Sequence, residues 1–240
     1  MISEWMQILL GDDYVVRGID YFSKNRNFYI RQNKDLKMRR VESLSANEFI
    51  NEVKGSIRFN LYKKYLSEIK QQHIYDSDCH GLNHNERVSL FAFYLANSLG
   101  LTDREMKLAL YSAFYHDIGR VNDLTDDAHG KRSADLIGQV VFDVNDDELN
   151  ILKTILTCHS IDDKNFVKVL NKNKVENVEL CEKLFQILKD SDALDRVRLD
   201  NPLVVPSMLR LDDSRELILA SYQLYDNYEK IKENITEKDL

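Results

Sequence analysis

Proline and glycine are scarce in this chain of 240 residues, which has two prolines and eight glycines. Because both residues interrupt regular backbone structure, their scarcity leaves long stretches unbroken and favours a mainly helical fold. Cysteine is scarce too. The three cysteines are odd in number and lack Cys-x-x-Cys spacing, which argues against a disulfide framework or a cysteine-only zinc site.

The sequence also lacks an excess of basic residues, a long apolar run and a signal peptide. Its net charge of -7 argues against a general nucleic-acid binder, so we expect no nucleic-acid partner. No apolar run approaches the length of a membrane span, and the N-terminus lacks a basic region followed by an apolar core. We therefore expect a soluble, cytoplasmic protein that keeps its thiols reduced and does not bind membranes.

The first third of the chain differs from the rest and carries no chemical motif. Two short segments, residues 28–31 and 36–39, flank a turn-forming sequence in the pattern of a small hairpin. We predict a mostly helical N-terminal extension or cap over residues 1–75 and a second domain over residues 76–240 that ends in a C-terminal helix. The predicted fold class is all-α and leaves open a small β-hairpin in the extension.

Within residues 76–240, histidine and aspartate recur at the ends of predicted apolar helices. The run from Leu108 to Phe114 leads directly into His116-Asp117. An imidazole beside a carboxylate is costly to bury without a partner, and a divalent metal ion is a partner that both groups bind well. His84 begins the apolar stripe of the preceding predicted helix, which Gly100 ends.

Three further candidates follow the central pair. Asp192 lies on an apolar stripe of its predicted helix, and His129 and His159 lie between that helix and the central pair. Taken singly, each has a simpler explanation: a histidine on an apolar face is usually structural, and Asp192 could pair with Arg196 at i+4. The occurrence of several such residues together favours a common metal site.

The order His84, His116-Asp117, Asp192 resembles the H…HD…D signature of the HD-domain metal-dependent phosphohydrolase superfamily. The resemblance covers roughly residues 78–200, and its local motifs are His80-Gly81-x-x-His84-x-x-x-Val88, Tyr115-His116-Asp117-Ile118-Gly119-Arg120 and Asp190-Ser191-Asp192-Ala193-Leu194-Asp195-Arg196. It implies an all-helical fold that hydrolyses phosphate esters at a divalent metal.

The resemblance also implies the ligands. It assigns a first metal ion to His84, His116, Asp117 and Asp192. A second ion would use His129 and His159, with Asp117 as a bridge. The sequence departs from the fullest two-metal pattern, because Ser160 rather than a further histidine follows His159, and His129 could instead be an exposed loop residue. We therefore expect one or two divalent ions, with Mn, Fe, Co, Ni, Zn and Mg all compatible with the ligand types.

Several side chains are candidates for binding the substrate or transferring a proton to it. Lys131 and Arg132 are the best candidates to hold a phosphate, and Arg87 and Arg120 are weaker ones, although each is by default a solvated charge. His80 could be a general acid or could orient a ligand. It would share a face with His84 only if the helix extended back past Gly81.

The function predicted from the sequence is hydrolysis of a phosphomonoester or phosphodiester by a metal-activated water. The expected partner is a small phosphorylated substrate, a nucleotide or a similar ester. An alternative is a non-catalytic nucleotide-sensing or scaffold module that keeps the same fold, and a third is a metal-dependent hydrolase of a non-phosphate bond. The sequence leaves the oligomeric state open.

Overall fold

The computed structural model describes residues 43–199 and 203–236, and over these residues it confirms the predicted all-α class. The described residues form eleven α-helices and no strand. The helices are α1 (Ala46–Gly55), α2 (Phe59–Glu68), α3 (Leu82–Ser98), α4 (Asp103–Tyr115), α5 (His129–Leu136), α6 (Asp146–His159), α7 (Phe166–Asn173), α8 (Val178–Leu194), α9 (Asp212–Glu216), α10 (Ile218–Asp226) and α11 (Tyr228–Thr236). The hairpin predicted near residues 28–39 lies outside the described residues.

The described residues divide between two compact units. One comprises residues 55–192, and the other contains residues 43–54, 193–199 and 203–236. The predicted domain boundary at residues 75/76 stays a prediction. Every candidate site residue falls within residues 55–192. In that unit α3 packs against α4, α5 packs against α6, and α6 also contacts α4 and α7.

The second unit is built around the C-terminal helices. The backbone N–H of Leu44 donates to the carbonyl of Glu216 (2.9 Å), and that of Ala46 donates to the side chain of Gln223 (2.8 Å). The phenol of Tyr222 accepts a hydrogen bond from the N–H of Val204 (3.3 Å). Among the described helices of both units, none has the length and apolar character required to cross a membrane.

Capping boxes fix where the two central helices of residues 55–192 begin. Thr102 and Glu105 exchange side-chain to backbone hydrogen bonds at the start of α4, and Asn145 and Glu148 do the same at the start of α6. Both starts are predicted by the sequence, because the polar cap and the acid three residues later satisfy N–H groups that lack helical partners. The opposite ends of these helices carry His116 and His159.

An ion-pair network joins the N-terminal ends of α4 and α6. The guanidinium of Arg104 forms two hydrogen bonds with the carboxylate of Glu148, at 2.6 Å and 2.7 Å. Lys107 donates to both the carbonyl and the carboxylate of Asp143, which precedes α6. Charge-assisted, two-point contacts of this kind constrain orientation as well as distance. These contacts thus fix the distance and orientation between the N-terminal ends of the two helices that end in candidate ligands.

Candidate metal centre

The His116-Asp117 pair ends a helix that has no exposed side over its second half. Every residue of α4 from Met106 to Tyr115 is buried, and His116 and Asp117 are only 0% and 2% exposed. A carboxylate at this depth requires a compensating positive charge or several hydrogen-bond donors. The structure places the guanidinium of Arg120 and imidazoles from other segments around this carboxylate.

Four other segments bring candidate ligands to the pair. His84 lies in the first turn of α3, His129 opens α5, and His159 ends α6. Asp192 lies in the last turn of α8 and retains 29% side-chain exposure. All six residues predicted as metal ligands therefore converge around Asp117.

The first cluster is formed by His84, His116 and Asp192 with one oxygen of Asp117. The Nε2 atoms of the two histidines are 3.0 Å apart. Oδ1 of Asp192 lies 3.5 Å from the first and 3.8 Å from the second. Oδ2 of Asp117 lies 3.7 Å and 3.6 Å from the same two nitrogens. Four potential ligand atoms thus surround one small volume.

The second cluster is formed by His129 and His159 with the other oxygen of Asp117. The two Nε2 atoms are 2.8 Å apart, and Oδ1 of Asp117 lies 3.1 Å and 3.6 Å from them. The two oxygens of one carboxylate therefore face two different imidazole pairs. A carboxylate that bridges two cations requires this arrangement, in which each oxygen faces a different pair of ligands.

In their neutral form, the rings that contact backbone carbonyls through Nδ1 direct Nε2 lone pairs into these clusters. Nδ1 of His116, His129 and His159 each lies within hydrogen-bond distance of the backbone carbonyl three residues earlier. A carbonyl can only accept, so in the neutral imidazole Nδ1 carries the proton and Nε2 presents a lone pair. Between His129 and His159 two such lone pairs are 2.8 Å apart. Two acceptors that close repel each other unless a cation or a proton lies between them.

The surroundings lower the pKa values of both Asp117 and His159. Burial by itself raises the pKa of the Asp117 carboxyl, but the surrounding imidazoles, that of His116 foremost, hold this pKa well below its usual value. Burial lowers the pKa of His159 and favours its neutral ring. Oδ1 of Asp117 is buried and makes no well-directed hydrogen bond within the chain. An ionised oxygen and neutral imidazoles are suitable donors to a divalent ion.

Glycine permits the close approach of the helices that carry the second cluster. A Cβ at Gly130 would lie 2.5 Å from the carbonyl oxygen of Leu156 and 2.6 Å from Oγ of Ser160. A Cβ at Gly119 would lie 2.5 Å from the carbonyl oxygen of His129. Neither position can hold a larger residue without a shift of the backbone. Gly119 belongs to the motif of residues 115–120, and the structure supplies a steric reason for glycine at both positions.

His80 reaches the centre without belonging to α3. The helix begins at Leu82 with Gly81 as its N-cap, so it does not extend back to His80. Even so, Nδ1 of His80 lies 3.1 Å from Oδ2 of Asp117. The loop is held by Ser77, whose hydroxyl accepts from the N–H of His80 and donates to Asp123. No sequence signal separates Ser77 from other turn-forming serines.

The four predicted cationic side chains differ in their surroundings. Nε of Arg120 lies 2.9 Å from Oδ2 of Asp117. Arg132 donates to the carbonyl of Gly119 and to Asp126, Lys131 is half exposed and pairs with Asp135, and Arg87 is buried. The assignment of Lys131 and Arg132 to phosphate binding stays a prediction.

Cys158 precedes His159 but does not join the centre. Burial raises the pKa of its thiol to about 11, so the thiol stays protonated at neutral pH. A protonated thiol is neither a good metal ligand nor a nucleophile.

Comparison of this chain with models of protein families, with curated proteins and with solved structures finds no match. The structure itself provides an all-α chain over its described residues, with a buried cluster of histidine and aspartate that could hold a divalent metal ion.

Proposed function

We propose that the protein is a metal-dependent phosphohydrolase of the HD-domain type that hydrolyses a nucleotide or a similar small phosphate ester. One observation supports this most directly: each oxygen of the buried Asp117 carboxylate faces a separate pair of imidazoles. The order of His84, His116-Asp117 and Asp192 along the chain supports the same proposal. Pairs of metal ions that share ligands are typical of enzymes acting on phosphate esters.

The ligands would divide between two ions. His84, His116, Asp192 and Oδ2 of Asp117 would hold the first, and His129, His159 and Oδ1 of Asp117 the second. When bound, divalent ions lower the pKa of coordinated water from about 15.7 to about 7 and neutralise charge on the phosphoryl oxygens. Asp192 is the most exposed of the six proposed ligands, at 29%, and we infer that water and substrate would approach from its side. The mixture of imidazole and carboxylate suits Mn, Fe, Co, Ni or Zn, and Mg less well.

The test combines metal analysis with a panel of substrates. We expect purified protein to carry a stoichiometric divalent metal and to hydrolyse at least one of deoxynucleotides, cyclic mono- or dinucleotides and bis-p-nitrophenyl phosphate when Mn²⁺ is added. A chelator should abolish the turnover and added metal should restore it. Absence of both bound metal and turnover would favour a non-catalytic nucleotide-sensing module. Metal binding with inactivity on every phosphoester would favour hydrolysis of a different bond.

His80 is the candidate to protonate the leaving group. If it does so, His80→Ala should lower kcat about 10²- to 10⁴-fold for an ester with a poor leaving group, such as a nucleotide. The loss should be small for bis-p-nitrophenyl phosphate, because p-nitrophenolate leaves without protonation. Steady-state kinetics on both substrates make the comparison, with the exposed His73→Ala as the matched control. Equal losses on both substrates would instead assign His80 to orienting Asp117.

A further inference from the structure

Lys189 lies on α8, the helix that carries Asp192, and it contacts backbone carbonyls at the end of α6, the helix that carries His159. It lies on α8 three residues before Asp192, and its side chain is only 15% exposed. Its Nζ atom lies 3.1 Å from the carbonyl oxygen of His159 and 2.9 Å from that of Ile161. The carboxylate of Asp163 lies 3.2 Å from the same nitrogen.

The carbonyl of His159 needs a donor because His159 is the last residue of α6, whereas Ile161 follows the helix. The last four carbonyls of an α-helix have no N–H partner within it, and they form the negative end of the helix dipole. An ammonium group has three donors and a positive charge, so Lys189 satisfies both requirements at the end of α6. The ring of Phe185, one turn earlier on α8, lies 5.9 Å from Nζ and stacks on Phe166. The ammonium is therefore committed to the protein and is not placed to bind substrate.

The orientation of the His159 ring depends on that same turn. His159 is the last residue of α6, and its Nδ1 donates to the carbonyl oxygen of Leu156 at 2.6 Å. Helix ends fray unless something holds them. If the final turn of α6 loosened, Nε2 of His159 would no longer be directed towards His129 and Asp117. The segment that Lys189 holds is thus the one that positions a ligand of the second cluster.

We propose that Lys189 is a positioning residue that sets the affinity of the second metal site by fixing the last turn of α6. This inference rests on the proposed two-ion centre. Lys189 touches no candidate ligand atom of either cluster, and its hydrogen bonds and ion pair are with backbone carbonyls and Asp163. Its loss should weaken the second ion more than the first, because none of His84, His116 and Asp192 lies on α6.

The experiment measures Mn²⁺ binding by equilibrium dialysis and elemental analysis over a range of free Mn²⁺. Native protein should bind two ions. Lys189→Met should keep one with native affinity, while the Kd of the other rises about 10- to 100-fold, as is usual when a partner outside the ligand set is removed. Lys189→Arg keeps charge and donors and should restore much of the affinity. Lys183→Met, also on α8 but exposed and paired with Glu179, is the matched control.

Electron paramagnetic resonance gives a second readout that a general loss of stability would not reproduce. Two Mn²⁺ ions bridged by a carboxylate are magnetically coupled, so Lys189→Met should convert the coupled signal at intermediate Mn²⁺ to that of an isolated ion. Far-UV circular dichroism checks folding, and if the Met variant does not fold, Lys189→Gln keeps a donor without the charge and is expected to show the same selective loss.

The outcomes separate this inference from the proposed function. Native protein that binds two ions, with a folded Met or Gln variant that binds both equally well or loses both together, overturns the role of Lys189 alone. Native protein that binds only one ion overturns the second site and this inference with it. Native protein that binds no ion overturns the proposed function itself.

Discussion

Asp117→Ala is expected to remove metal retention and phosphoesterase activity together, while the helical content stays largely intact. One carboxylate serves both imidazole pairs, so its loss takes one ligand from each ion. Changes outside the ligand set lower metal affinity about 10- to 100-fold. The loss of metal affinity in Asp117→Ala should be larger. Elemental analysis of the purified variant, kinetics with added Mn²⁺ and far-UV circular dichroism measure the three quantities.

Two variants show that the loss is specific. Asp127→Ala removes an exposed carboxylate from the neighbouring loop and should retain native metal content and rate. His129→Ala removes a ligand from one cluster only, and it should retain one ion where Asp117→Ala retains none. Full activity in Asp117→Ala would refute the assignment of the site.

Gly130→Ala is expected to disturb the second cluster although it removes no ligand. The added Cβ would lie 2.5 Å from the carbonyl oxygen of Leu156 and 3.1 Å from Cε1 of His159, so α5 and α6 must move apart. Overpacking of this kind destabilises by about 1–3 kcal/mol. The separation of His129 from His159 should also widen, which weakens the second ion more than the first. Thermal unfolding without metal and Mn²⁺ titration measure the two effects.

Gly138→Ala is the matched control for this change. It lies shortly after α5, and a Cβ there would meet only the methyl groups of Leu149, at 3.9 Å. The expected change in stability is within about 0.5 kcal/mol, with native metal binding. If Gly130→Ala behaved in the same way as this control, the approach of α5 to α6 would not be what sets the second cluster.

The features that the sequence predicts best are those with local causes. The capping boxes at Thr102 and Asn145 need only residues three positions apart, and the helix of His84 follows from a local apolar stripe. The convergence of His84, His116-Asp117 and Asp192 was predicted from their recurrence at the ends of apolar helices and from the resemblance, although no local pattern reports distance between helices.

Contacts between distant residues account for what the sequence did not predict. The position of His80 was tied to an extension of α3, but a loop held by Ser77 brings it to Asp117 instead. Lys189 acts on carbonyls about thirty positions earlier, at 158, 159 and 161, and helical spacing gives no sign of that contact. Each oxygen of Asp117 faces a different pair of imidazoles, and this arrangement likewise depends on side-chain orientation, which the sequence pattern does not determine.

The burial of α4 from Met106 to Tyr115 bears on how the proposed metal ions would be acquired. Because residues 106–115 are enclosed, the His116-Asp117 pair cannot swing without displacing the hydrophobic core. The position of this pair is therefore set by the packing of α4, in contrast to the ligands of zinc fingers, which remain unstructured until the ion arrives. If the proposed ions bind, the folded chain would be able to exchange one cation for another, and the ion bound would follow the supply in its surroundings.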